Sequence, residues 1–139
     1  GLTYVTPVQR IPGRHQSVAG FFLDNLGARP DKVVDDAFLI VEGQEGVSVI
    51  LGCCHAGLSN TLDHASAVAG KDRIHSVLGG MHLIKADQAH LNQCLVALKE
   101  HEVQVLYPAH CTGDTAISWL AEHFPGRTTE VKAGDRITL

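Results

Sequence analysis

Three stretches of the chain end alike. VSVILGCCH, IHSVLGGMH and VQVLYPAH each run apolar, pass through small or turn-forming residues, and stop on a histidine: His55, His82 and His110. Imidazole is the commonest metal ligand, and small neighbours let a ring turn inward without a clash. After each histidine the chain moves toward a helix-like segment. Loops leaving the carboxyl ends of strands in an open α/β sheet converge on one edge, where ligands bind. If these strands share a sheet, three imidazoles meet at that edge. One histidine at a strand end is ordinarily a solvated loop residue. The same placement three times points to a metal or reactive centre.

The residues around these histidines extend the reading. Cys54 and Cys111 flank the candidates as further zinc-ligand types, and Cys111, next to His110, is expected to line the pocket. Asp35 and Asp36 precede a strand, either as a carboxylate pair supporting the ligands or as a solvated strand start. Gly57 and Gly79-Gly80 mark tight turns with close backbone approach. Thr112 and Gly113, beside a helix start, offer backbone N–H groups to an anionic substrate. Among the other histidines, His64, His90, His101 and His123 fall on or beside helices and are expected to be solvated. His75 starts a strand at the wrong end for the site, and His15 lies in an early loop.

The elements that must position these groups alternate. Residues 2 to 5 read as a strand, and the rest of the first 36 residues, punctuated by Pro and Gly, as a loop with one helical turn. Strands follow at 37–42 and 47–51 around the hairpin loop Gly43-Gln44-Glu45-Gly46. Further strands are expected at 74–78, 102–107, 129–131 and 136–138. Helices are expected at 60–69, ending at Gly70, from Asp87 as N-cap, and from Asp114 to Pro125-Gly126. Their apolar faces are Leu62, Ala65, Val68 and Ala69, then Leu91, Cys94, Leu95 and Leu98, then Ile117, Leu120, Ala121 and Phe124. Such alternation argues an α/β (α+β) fold in one domain over 1–139.

Composition excludes several classes. The 139 residues carry a net charge of -4 and no Lys/Arg run, so there is no electrostatic footprint for nucleic acid. No apolar run approaches the roughly 20 residues that span a bilayer. No export signal is recognisable, and four cysteines without C-x-x-C spacing suit reduced thiols, so a cytoplasmic protein is expected.

DDAFLIV, GCCHAGLSN, VLGGMHL and YPAHCTG together resemble the C-terminal half of the metallo-β-lactamase superfamily. More narrowly, they resemble its dihydropterin-ribofuranosyl-aminobenzene-phosphate synthase-like branch of metal-dependent hydrolases. The likeness runs from about Val34 to Leu139, with TPVQRIP similar to a degraded form of a loop preceding the motifs. It implies half, or a shortened form, of a four-layer αββα sandwich with a one- or two-metal site. His55 would match the third histidine on the first metal and His110 the last, on the second. His82 would occupy the region where many relatives place a bridging aspartate. Asn60, which closes GC-x-H-x-G-x-x-N, joins Asp35, Asp36, Cys54, Cys111 and Thr112 as expected substrate-binding or supporting residues. The metal is expected to be divalent, zinc first, with iron or manganese as alternatives.

The superfamily signature H-x-H-x-D-H is absent from this sequence, in which no two histidines are closer than seven positions. The resemblance puts that motif upstream of Gly1, so a fragment holding half a site is expected, and the isolated chain could lack metal. The resemblance implies a hydrolase in which a metal-bound hydroxide attacks a small, phosphorylated substrate. The alternatives are an inactive, shortened metal-binding or self-associating module and a metal-free structural domain. The expected partners are the small-molecule substrate and either the missing half or a second copy of the chain in a homo-oligomer. Neither nucleic acid nor membrane is among them.

Overall fold

Five strands form one sheet in sequence order: β1 (Leu2–Val5), β2 (Phe38–Glu42), β3 (Val47–Leu51), β4 (Ile74–Gly80) and β5 (Val105–Ala109). The structure, a computed structural model, describes residues 1–16 and 20–139. β1, β2 and β3 run antiparallel, and β3, β4 and β5 run parallel. The parallel crossovers pass through α1 (Leu58–Ala69) and α2 (Gln88–Glu100), and α3 (Asp114–His123) follows β5. The switch from hairpin to crossover follows loop length. Gly43 to Gly46 closes β2 onto β3 through one backbone bond of 3.0 Å, whereas parallel neighbours need a helix-length return.

Alternating burial shows which sheet face is the core. Phe38 and Ile40 on β2 are buried while Leu39 and Val41 between them are only half-buried. Val49, Ile74, Val77 and Leu106 from the sheet pack with Leu62, Leu98 and Leu120 from the three helices, all fully buried. Cutting Leu98 to Ala in such a core costs about 2–5 kcal/mol. α2 starts where its N-cap requires, with the Asp87 carboxylate accepting from the His90 amide at 2.8 Å, and α1 stops at Gly70 in the left-handed conformation. The α2 stripe holds as expected. On α1, Val68 is exposed; at α3, Leu120 and Phe124 are buried as expected and Ala116 joins them, while Ile117 is half-buried and Ala121 faces solvent.

Two expected strands are absent. Residues 128 to 131 run along β5 with Thr129 donating to Leu106 and Val131 to Pro108, yet only one bridge, Leu106 to Thr128, forms. Pro108 has no N–H to return, which breaks the ladder. Residues 136–138 form no strand, nor do the described residues before β2 contain a helical turn. Among the described residues no helix is long and apolar enough to cross a membrane.

Candidate metal centre

β3, β4 and β5 are adjacent and parallel, so their carboxyl ends share one edge, and Leu51 pairs with Gly79 while Gly80 pairs with Ala109. Each strand end carries one residue with left-handed backbone: Cys54 (φ 59°), His82 (φ 49°) and His110 (φ 49°). Such conformations cost about 1–2 kcal/mol per residue and persist where surroundings over-determine them, typically at functional sites.

His55 and His82 come together, with ring centroids 4.4 Å apart and planes inclined at 54°. Phe21 stands edge-on to His55 at 4.9 Å and lies 6.1 Å from His82. Nδ1 of His82 is buried and has no hydrogen-bond partner among the described residues. Burial holds the His82 pKa below the usual histidine value; His55, His110 and Lys85 push the same way, against Asp36. A neutral imidazole with an unsatisfied nitrogen is the form that binds a divalent ion. The His55–His82 pair therefore fits the metal that the sequence resemblance implies.

His110 is exposed and groups differently. Its ring nitrogen, Cys53 Sγ and Cys111 Sγ lie within 4.8 Å of one another. Burial pushes the Cys111 thiol up to about 11. Cys54 is turned into the core, its Sγ 3.4 Å from the Thr61 hydroxyl, and burial raises its pKa far above the ordinary thiol range.

The supporting residues separate by burial. Asp36 is buried and accepts from the Ala56 amide at 2.7 Å, next to His55, while Asp35 is exposed and offers only its carbonyl, to Thr6. Asn60 is fully buried; it donates to the Ala56 carbonyl and accepts from the Ile11 amide at 2.8 Å. Thr112 is also fully buried, accepting from the Met81 amide at 3.1 Å and donating to the Ala109 carbonyl at 2.8 Å. Its hydroxyl thereby ties the turn after β5 to the residue before His82.

The early loop is part of the site, which its irregular sequence conceals. Asn60, Asp63 and His64 lie one turn apart on α1. Asn60 and His64 accept from the Ile11 and Gln9 amides, and Asp63 pairs with Arg14 at 3.1 Å. The loop passes so close to α1 that a Cβ on Gly57 would stand 2.1 Å from the His15 carbonyl oxygen. His15 then stacks on His90 with ring centroids 3.3 Å apart, and the two help line a cavity of about 440 Å³ with His82, Phe21, Lys85 and Asp87.

Two helix-borne histidines expected to be solvated are buried, and a third is half-buried. His90 lies under His15, and desolvation lowers its pKa to about 4. His101 caps α2 and bonds Asp63 of α1 at 2.9 Å. His64 is half-buried between the Gln9 amide and the Phe38 ring. Each is the polar partner of a packed neighbour, a role that helix position alone does not reveal. His123 is exposed, as expected, and His75 borders a cavity of about 780 Å³ at the opposite end of the sheet, away from the histidine cluster.

No protein-family model matches the chain. A curated relative, the 7,8-dihydropterin-6-methyl-4-(β-D-ribofuranosyl)-aminobenzene-5'-phosphate synthase of Methanocaldococcus jannaschii, is 30% identical over 112 residues, 81% of this chain and 38% of that protein. The uncharacterized protein MJ0448 of the same organism is 34% identical over 92 residues, 66% of this chain and 33% of that protein. The chain thus spans well under half the length of these relatives. The solved structure of Tm1679, a metal-dependent hydrolase of the β-lactamase superfamily, matches 99% of this chain and 53% of its own, with a TM-score of 0.86 and 29% identity. In its sheet and its sequence the chain is similar to a metal-dependent hydrolase of the metallo-β-lactamase superfamily, and in its sequence to the dihydropterin-ribofuranosyl-aminobenzene-phosphate synthase branch.

Proposed function

We propose that this chain is part of a metal-dependent hydrolase that holds a divalent ion, zinc first, on His55 and His82 with His110 nearby. The observation that carries the reading is the buried, unpartnered Nδ1 of His82 beside the His55 ring. When bound, such an ion polarises a substrate oxygen and lowers the pKa of a water it holds. The residues of the chain do the rest. Asp36 fixes the turn at His55 through the amide of Ala56, the residue after it, and Thr112 fixes the turn before His82. Phe21 covers the two rings and limits water.

The cavity beside them suits a small substrate, and Lys85 on its wall supplies a cation for an anionic group such as a phosphate. The named relative is a synthase of a phosphate-bearing compound, which agrees in ligand class.

A second reading, a self-associating metal-binding module, draws on Leu2 and Tyr4. They are 69% and 65% exposed on β1, whose outer edge pairs with no strand among the described residues. The partner there would be a second copy of the chain or a segment contributed by the rest of such an enzyme.

Elemental analysis of chain purified without chelator tests the main reading, with turnover of p-nitrophenyl phosphate esters measured on the same sample. About one or more ions per chain, lost in both His55→Ala and His82→Asn, is the expected result. Metal-free chain that takes up none of zinc, iron or manganese would overturn it. Stoichiometric metal without turnover, in a symmetric dimer, would favour the module.

A further inference from the structure

Cys53 is not among the residues that the sequence pattern singles out, yet it completes a set of three donors. Cys53 lies just beyond β3, His110 and Cys111 just beyond β5, and β4 runs between those strands. A side chain at the end of β4 would keep them apart. β4 ends instead on Gly80, where a Cβ would stand 2.7 Å from Cys111 Sγ and 2.6 Å from the Gly52 carbonyl oxygen. The bare glycine lets the Cys111 thiol cross β4 and donate to the Cys53 carbonyl at 3.5 Å. Both thiols are free and half-buried, and His110 next to them is exposed.

We propose that Cys53, His110 and Cys111 form a soft-metal site of their own, a Cys2His set for zinc with a fourth position open to water or substrate. It shares His110 with the reading above but does not rest on it, because the His55–His82 pair is made without thiols. Zinc takes Cys and His donors at about 2.3 and 2.0–2.1 Å in tetrahedral geometry. Donors already within 4.8 Å of one another need only a small closing movement to meet it. Binding releases both thiol protons to solvent and changes no oxidation state. Thiolate ligation also selects zinc or cobalt over manganese or magnesium.

Cobalt(II) titration of the metal-free chain under a phosphine reductant tests this. The expected result is a near-ultraviolet thiolate-to-cobalt charge-transfer band that weakens in Cys53→Ser and in Cys111→Ser, with affinity falling on the order of tenfold or more in each. The band should persist in His55→Ala, and circular dichroism verifies the fold of every variant. Cobalt bound without the band would overturn the proposal and leave the histidine reading standing. No cobalt bound at all would overturn both. A band lost also in His55→Ala would mean one shared ion, and the separate site falls.

Alkylation of the unaltered chain by iodoacetamide gives a check that needs no variant. Zinc should protect Cys53 and Cys111, with buried Cys54 and Cys94 as unreactive internal controls. Labelling of Cys53 and Cys111 that zinc does not change would overturn the proposal.

Discussion

The rings of His55 and His82 stand 4.4 Å apart, though one follows β3 and the other follows β4. A buried His82 nitrogen with no partner among the described residues is unfavourable unless something accepts its lone pair. The pair is the feature around which the rest of this edge is built.

His82 has a left-handed backbone (φ 49°), so its substitutions separate strain from ligation. His82→Asn should keep the fold, because Asn tolerates that region, while metal content falls. His82→Val should lose metal equally and cost about 1 kcal/mol more, since a β-branched residue suffers there. Denaturant midpoints of the two variants, read with their metal content, check both parts.

Gly57 and Gly70 both have positive φ but differ in their surroundings. A Cβ on Gly57 meets the His15 carbonyl at 2.1 Å, whereas nothing lies within 4 Å at Gly70. Gly70→Ala should therefore cost about 1 kcal/mol, from backbone conformation alone. Gly57→Ala should cost about 2 kcal/mol or more, because the loop carrying His15 must move. Thermal melts of the two variants, with the His15 ring shifts as a local readout, decide it.

Asn60→Ala removes three roles at once: acceptor for Ile11, donor to Ala56 and a longer contact to the His15 carbonyl. The groups left behind are part-buried or buried, so a loss on the order of 3 kcal/mol is expected. Faster hydrogen exchange at the Ile11 amide should accompany it and would tie the loss to the loop.

His90 supplies a pH dependence. Its folded-state pKa is lowered from 6.5 to about 4, first by burial, then by His15 and His82, against Asp87. The unfolded chain thus binds the proton more readily than the folded one. The stability His90 contributes is present above pH 6.5 and is lost as pH falls through 4, a change on the order of 3 kcal/mol. NMR titration should find His90 neutral at pH 5.5, and His90→Phe should flatten that part of the stability profile. A ring titrating near 6.5 would refute the assignment.

Much of the frame was legible from local pattern. β2 and β3 follow from short apolar runs flanking a hairpin loop and the α2 stripe from period-3.6 spacing, and Asp87 marks its helix start because a cap is a local bond. The strand expected at 129–131 does not form: β-branched Thr129 and Val131 alternate around Glu130 as in any edge strand, while the obstacle, Pro108, sits on the neighbour.

The site divides along the same line. By itself the sequence determined that three apolar strands would each be followed within a few residues by a histidine, His55, His82 and His110, since a short apolar run and the turn residues after it are properties of adjacent residues. Only the tertiary structure decided which of them meet. His55 pairs with His82, and His110 groups with Cys53 and Cys111, because cross-strand register and the missing side chain of Gly80 set those distances. Likewise His90 and His101 read as solvated helix residues until the loop and α1 close over them. Burial is a relation between segments distant in the chain, and no window along the sequence contains both sides of it.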